Sequence, residues 1–310
     1  ASDRPLVRGV GFEPTKGYER QKRATFSLGD ISLMLQDFRR FLLVDRCKSK
    51  VTARDYTRLI RLFLNRISKP VDLVGIEDVR EYMLWLRENK SVGHYTNALS
   101  GLKSFFRDFL KRPEIVDGFK FPAKEVIIKS IPSREDLARF YHALPDIRIK
   151  ALFLMLASTG LRLGEILSLK LEDVDFTKRM VVPKCHTGNT KRSWISFFNV
   201  ETQEVLEQFL KVRWKHSQKL FPISEPVMKK SWDVARQETG LTLQRKTLRD
   251  WFADEMGRLG IQDRYIDAFQ GRTPKSVLAR HYSDYAPDKL QVIYEKANIR
   301  ILELLTVTAR

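Results

Sequence analysis

Apolar residues that recur every three or four positions, in two long stretches parted by one interval of proline, glycine and lysine, limit this chain to two helical units in series. In the first stretch Tyr56, Leu59, Ile60, Phe63 and Leu64 share one helix face, and Tyr95, Ala98, Leu99, Leu102, Phe105, Phe106 and Phe109 share another. Pro113 and residues 117–129, with Gly118, Pro122 and several lysines, then favour a linker. Helical order resumes at Ser133, which with Asp136 fits a capping box ahead of Leu137, Phe140, Tyr141 and Leu144. The apolar run 151–157 predicts a buried helix ending near Thr159-Gly160, and Ile166 and Leu167 mark a short helix after it.

Two β-prone pieces, 179–183 and 193–198, flank Gly188-Asn189 and predict a small hairpin. Beyond it Leu248, Trp251, Phe252, Met256 and Leu259 form a helical stripe, and Thr273-Pro274 opens a further helix. A last helix is expected from Pro287, burying Leu290, Ile293, Tyr294, Ala297, Ile301 and Leu304. The fold class is therefore mainly α with a small β-hairpin or sheet. Residues 1–25 are expected to be a poorly ordered leader, 26–112 a helical domain, 113–130 the linker and 131–310 the second domain.

The formal charge of +18, from 56 Lys+Arg against 38 Asp+Glu, spreads along the whole chain and points to a polyanionic partner, nucleic acid foremost. Arg54, Arg58 and Arg61 form a basic stripe on one helix of the first domain, and Lys103, Arg107 and Lys111 form another. Each stripe alone reads as a solvated face; two in one helical domain suggest contact with phosphates. No apolar run is long enough to span a membrane, so a cytoplasmic protein with no membrane partner is expected. Cys47 and Cys185 lack any ligand or disulfide spacing and are expected to be buried, inert thiols; no metal site and no cofactor is predicted.

Cleaving a phosphodiester without a metal requires a nucleophile, cations on the non-bridging oxygens and a proton donor for the departing oxygen. Ser158-Thr159-Gly160-Leu161-Arg162-Leu163-Gly164-Glu165 supplies a helix end, a glycine turn, and Arg162 one turn from Glu165, which could orient the guanidinium. In Lys246-Thr247-Leu248-Arg249 two cations stand three apart beside an apolar stripe that would anchor their helix. Gly271-Arg272 is followed about ten residues later by Tyr282, within Arg280-His281-Tyr282-Ser283-Asp284-Tyr285. Taken singly, Arg162–Glu165 reads as a surface ion pair and Tyr282 as a core residue. No Asp-x-Asp or His/Asp ligand pair in a plausible active-site position recommends a metal-dependent nuclease; Asp173 and Asp175 come nearest, but at a strand entrance.

In this order, and in a basic chain, these boxes resemble the signature of the tyrosine recombinases over roughly residues 26–305. The resemblance implies an N-terminal helical core-binding (SAM-like) domain and a C-terminal catalytic domain. Arg162 and Arg249 would bind the scissile phosphate and Tyr282 would attack it, forming a 3′-phosphotyrosyl link and releasing a 5′ hydroxyl. Two positions depart from the usual pattern: Lys246 stands where His is common, and Arg272 where His or Trp is. Both keep a hydrogen-bond donor and make the site more cationic, a variant resembling integrases of archaeal plasmids and spindle-shaped viruses.

The family also places a lysine in the hairpin as the acid that protonates the 5′ oxygen; Lys191 is the first choice and Lys184 the second. Tyr285 rivals Tyr282, and the family spacing from Gly271 favours Tyr282. The implied partner is double-stranded DNA at attachment sites, held by four protomers, with a monomer possible without DNA. The last helix could dock on a neighbour or on its own domain. A type IB topoisomerase and a non-catalytic DNA-binding protein are the alternatives. In the leader, Gly11-Phe12-Glu13-Pro14 can be encoded by GGG TTC GAA CCC, the form of a tRNA T-arm, so residues near 8–15 are expected to be translated from an attachment site shared with a tRNA gene.

Overall fold

A computed structural model of the chain describes residues 28–123, 130–184, 195–214, 216–272 and 285–302. The chain divides into two compact units, 1–125 and 126–310, each with its own apolar core.

The first unit is helical: α1 (Leu28–Val44), α2 (Lys50–Ile67), α3 (Ile76–Asn89) and α4 (Val92–Leu102), the last running on into a π-helical segment, Lys103–Phe109. Ser49 caps α2 and Ser91 caps α4, their hydroxyls accepting from the amides of Thr52 and His94. The apolar stripes meet in an aromatic core in which Phe38 stands edge-on to Phe105 at 5.1 Å and Phe63 edge-on to Tyr82 at 5.1 Å. Residues 113–119, placed in the linker by their proline and glycine, instead pack on this unit: Ile115 and Val116 are buried in its core.

Two further expectations are corrected in this unit. Lys103 and Arg107 lie on the π-helical segment, but Lys111 is past its end with φ +58°, so the second basic stripe is not a single helix face. Cys47 is exposed, because it sits in the turn between α1 and α2 with φ +47°, where its thiol donates to the Val44 carbonyl at 3.5 Å.

In the second unit α5 (Arg134–His142) begins with the Ser133–Asp136 capping box, and α6 (Ile147–Thr159) is buried on all sides from Ala151 onward, as an all-apolar helix must be. After α7 (Leu163–Ser168) come β1 (Val174–Asp175), β2 (Met180–Val181) and β3 (Ser196–Phe197), an antiparallel sheet in that order with Val174 opposite Val181 and Met180 opposite Phe197. The β2–β3 pair falls on the two predicted β-prone pieces; β1 adds a strand beside them. The helices α8 (Val200–Val212), α9 (Glu225–Thr239), α10 (Arg245–Arg258) and α11 (Asp263–Phe269) complete the framework.

The last helix, α12 (Pro287–Ala297), is shorter than expected: Asn298 adopts the left-handed conformation and ends it, so Ile301 is buried by the segment after the helix. It docks on its own unit through Leu290, Tyr294 and Ala297, with Tyr294 against Phe197 and Phe269. Asn199 and Glu201 fasten residues 299–302, the Asn199 amide donating to the Ile299 carbonyl and the Glu201 carboxylate accepting from the amides of Ile301 and Leu302. Among the described residues no helix is long and apolar enough to cross a membrane.

Candidate active site

The site is built on the C-terminal end of α6. A helix leaves its last carbonyls without intrahelical partners, and here three other parts of the unit supply donors. The Tyr294 hydroxyl donates to Ser158 O at 2.8 Å, the Ser196 hydroxyl to Thr159 O at 2.7 Å and the Arg249 guanidinium to Gly160 O at 2.5 Å. Burial, and after it the charge of Glu201, leaves the Tyr294 phenol strongly disinclined to ionise. Gly160 takes the left-handed conformation, φ +63°, and lies so close to Phe252 that a Cβ there would overlap the ring.

That turn delivers Arg162 to the start of α7. The Glu165 carboxylate, buried, accepts from the Arg162 backbone amide at 2.7 Å and from its guanidinium at 2.7 Å. The i,i+3 pair is thus both a helix cap and an orienting clamp.

Arg249, on α10, is held at two edges: one nitrogen bonds Gly160 O and another bonds Gln270 O at 2.6 Å. Gln270 returns the contact, its side-chain amide donating to Arg249 O at 2.8 Å. Burial, then the like charges of Arg162 and Arg272, hold the Arg249 guanidinium down to about 10. Three guanidiniums therefore influence one another here, with Glu165 and Asp250 opposing the charge of Arg249 and Asp267 that of Arg272, an arrangement an anion would relieve further. Arg272 follows Gly271, which has φ +58°, and is half-exposed, paired with Asp267 at 3.2 Å.

Arg162 and Arg249 open on a cleft of about 490 Å³. Lys246 also lines it, exposed, one turn before Arg249. The other cations of the cleft are Lys229 and Arg236 on α9 and Arg245 on α10, against the single carboxylate of Asp233. Sequence reasoning missed these three and Gln270. The signal for Gln270 was a polar residue at an apolar-periodic position, one turn after Ile266, where it is fully buried.

Lys191 and Tyr282 lie outside the described residues, as do the hairpin tip, the Thr273-Pro274 helix start and the leader with its T-arm-like tetrapeptide. Lys184 is described: its ammonium sits 2.9 Å from Asp173 and 3.3 Å from Glu172, whose carboxylates raise its affinity for its proton. Tyr285 packs against the core, edge-on to Tyr265 at 6.3 Å. In the first unit Arg54, Arg58 and Arg61 are exposed on α2, Arg54 beside Asp55. Arg107 is shared between Asp108 at 2.9 Å and Asp117 at 3.7 Å, and Lys103 lies over the Phe121 ring. No group of three or more His, Cys, Asp and Glu side chains that could hold a metal ion occurs among the described residues.

Both units match known protein families. The profile of the phage integrase family matches residues 133–288, and that of the phage integrase N-terminal SAM-like domain matches residues 34–115. The tyrosine recombinase XerA of Pyrococcus horikoshii is 26% identical over 284 residues, covering 86% of this chain and 94% of the relative. The XerA of Saccharolobus solfataricus is 26% identical over 236 residues, 75% of each. Among solved structures, lambda integrase residues 75–356 bound to DNA has a similar fold, with a TM-score of 0.62 at 15% identity over 84% of this chain and 98% of that one. The chain belongs to the phage integrase family, the tyrosine recombinases, enzymes that cut and rejoin DNA strands.

Proposed function

We propose that the protein is a site-specific DNA integrase that works through a 3′-phosphotyrosyl intermediate. The observation that carries this is the convergence of Arg162, Arg249 and Arg272, with two donors of Arg249 fixed by backbone carbonyls and its charge held among like charges in a part-buried place. A scissile phosphate satisfies that demand, and the charge that builds on its non-bridging oxygens during attack satisfies it better. Lys246 adds a fourth cation at the rim of the same cleft.

The Tyr282 phenol gives up its proton to water as its oxygen attacks phosphorus, the bond to the 5′ oxygen breaks, and that oxygen takes a proton from a hairpin lysine, Lys191 by preference, which water reprotonates. The phosphodiester bond energy stays in the phosphotyrosyl link, so a 5′ hydroxyl of the partner duplex reverses the step and joins the strands. The engagement of Tyr285 with the core supports Tyr282 as the nucleophile. Arg54, Arg58, Arg61, Lys103, Arg107 and Lys111 of the N-terminal helical domain would grip the DNA backbone. Exchange requires four protomers on two duplexes; one of the solved structures of similar fold is a lambda integrase tetramer bound to a Holliday junction. The T-arm-like tetrapeptide at residues 11–14 supports a tRNA gene as the target.

The test is covalent trapping on nicked suicide duplexes carrying the tRNA 3′ sequence expected across codons 8–15. Wild-type protein should become attached and Tyr282→Phe should not. Wild-type protein that never attaches refutes the recombinase mechanism; relaxation of any supercoiled plasmid regardless of sequence indicates a topoisomerase instead. Codons at positions 8–15 that break T-arm complementarity end the tRNA hypothesis.

A further inference from the structure

Three successive carbonyls at the end of α6 are taken by three different elements, and each element leads to a different group of the proposed reaction. Ser158 O accepts from Tyr294 of α12, twelve positions after Tyr282. Thr159 O accepts from Ser196 of β3, five positions after Lys191. Gly160 O accepts from Arg249 of α10, and Arg162, held by Glu165, follows two residues later.

Closing a helix does not require such ties. α9 also ends on a left-handed glycine, and there the Gly240 amide finishes the last turn by donating to Arg236 O. At α6 the Leu161 amide donates instead to the Thr159 hydroxyl at 3.2 Å, and the carbonyls go to side chains 37, 89 and 136 positions away in sequence. Water is kept out: Ser158, Thr159, Ser196 and Tyr294 are all buried, the Tyr294 ring lying against Phe197 and Phe269. A buried carbonyl that loses its donor there has no substitute, so each element has one position along the end of α6 at which its bond is made. By contrast α8, which leads to none of the proposed groups, meets α6 through the hydroxyls of Thr202 and Ser158 at 3.0 Å.

We infer that Tyr294 and Ser196 are positioning residues for strand cleavage: through the carbonyl end of α6 they hold the segment of the nucleophile and the hairpin in register with Arg162 and Arg249. The assignment rests on the reading that Tyr282 attacks and a hairpin lysine supplies the proton. Tyr285, three positions after Tyr282, packs on the same core as Tyr294. At ~3.3–3.6 Å per residue, the chain then keeps Tyr282 within about 10 Å of a fixed point. A misplacement of about 1 Å at reacting groups costs on the order of 100-fold in rate, so the two hydroxyls act on cleavage and not on DNA binding.

The experiment follows covalent attachment of the full chain to the nicked suicide duplex carrying the tRNA 3′ sequence, in single turnover at saturating protein, for wild type, Tyr294→Phe, Ser196→Ala and Thr202→Val. Each change removes one buried hydroxyl bonded to α6, and Thr202→Val reports the loss of stability alone. A second duplex carries sulfur in place of the 5′ bridging oxygen; a thiol ionises near pH ~8.5, so the thiolate departs with its electron pair and needs no proton donor. On the oxygen duplex Tyr294→Phe and Ser196→Ala should attach roughly 10- to 100-fold more slowly, with duplex affinity within about twofold of wild type and Thr202→Val at the wild-type rate. On the sulfur duplex Ser196→Ala should return to the wild-type rate, because the acid it positions is no longer needed, while Tyr294→Phe stays slow. Circular dichroism confirms that each variant is folded at the assay temperature, and the Tyr294 and Ser196 arms stand separately if one is not. Either variant at the wild-type rate on the oxygen duplex, equal slowing in Thr202→Val, or Ser196→Ala equally slow on both duplexes overturns the assignment. Those outcomes leave the recombinase mechanism in place, since wild-type protein still attaches; wild-type protein that attaches to neither duplex refutes that mechanism and this assignment with it.

Discussion

Gly160→Ala tests the construction of the site at its narrowest point. An alanine there must hold φ +63°, which costs about 1–2 kcal/mol for an L-residue. Its Cβ would also overlap the Phe252 ring, which is fully buried and has no room to withdraw; overpacking of this kind costs about 1–3 kcal/mol. Together the destabilisation is about 2–5 kcal/mol, a fall of roughly 5–15 °C in Tm for a unit of this size. Thermal unfolding followed by circular dichroism measures it. Gly160→Ala/Phe252→Leu should be less destabilised than the two single changes added together, because the smaller side chain removes the overlap and leaves only the backbone cost. A Tm within 2 °C of wild type for Gly160→Ala, or strict additivity in the double variant, refutes the claim that close packing of this turn on α10 sets the position of Arg162 against Arg249.

Sulfate should stabilise the protein by occupying the guanidinium trio: at ten times its dissociation constant the gain is about 1.4 kcal/mol. The Tm rise should vanish in Arg249→Gln, and an equal rise in that variant would place the anion elsewhere. Gln270→Leu should slow covalent attachment more than it weakens DNA binding, since it leaves the Gly160 contact of Arg249 but removes the amide that ties α10 to the end of α11. Gln270→Asn, which keeps an amide donor, should recover part of the rate and Gln270→Glu, which has none, should not; attachment at the wild-type rate in Gln270→Leu would show that Arg249 needs no such support. Asp146 caps α6 and is held below its usual pKa first by its hydrogen bonds with the Arg148 side chain. Its folded pKa being depressed, the stability it contributes is present above pH 3.8 and is lost as pH falls through the lower folded value. Asp146→Asn should flatten the acid limb of the stability curve below pH 4, and an unchanged limb would contradict that cap.

The helical units, the capping box at Ser133, the end of α6 at Gly160 and the Arg162–Glu165 pair were all legible because each depends on residues within one or two turns of one another. Periodicity also located the sheet strands β2 and β3. It misplaced Lys111 and the end of α12 because a left-handed residue that is not glycine carries no strong local mark. It missed Gln270 because one buried amide looks like any polar residue until its partner is known.

What the sequence by itself determined is which side chains the second unit presents: a helix end followed by an arginine and its carboxylate, an arginine beside an apolar stripe, and a glycine-arginine turn. What only the tertiary structure decided is that these meet. Arg249 reaches Gly160 across 89 positions and Tyr294 reaches Ser158 across 136. The physical reason is that the last carbonyls of a buried helix must find donors, and which donors come depends on how α10, β3 and α12 pack around α6, a property no local pattern encodes.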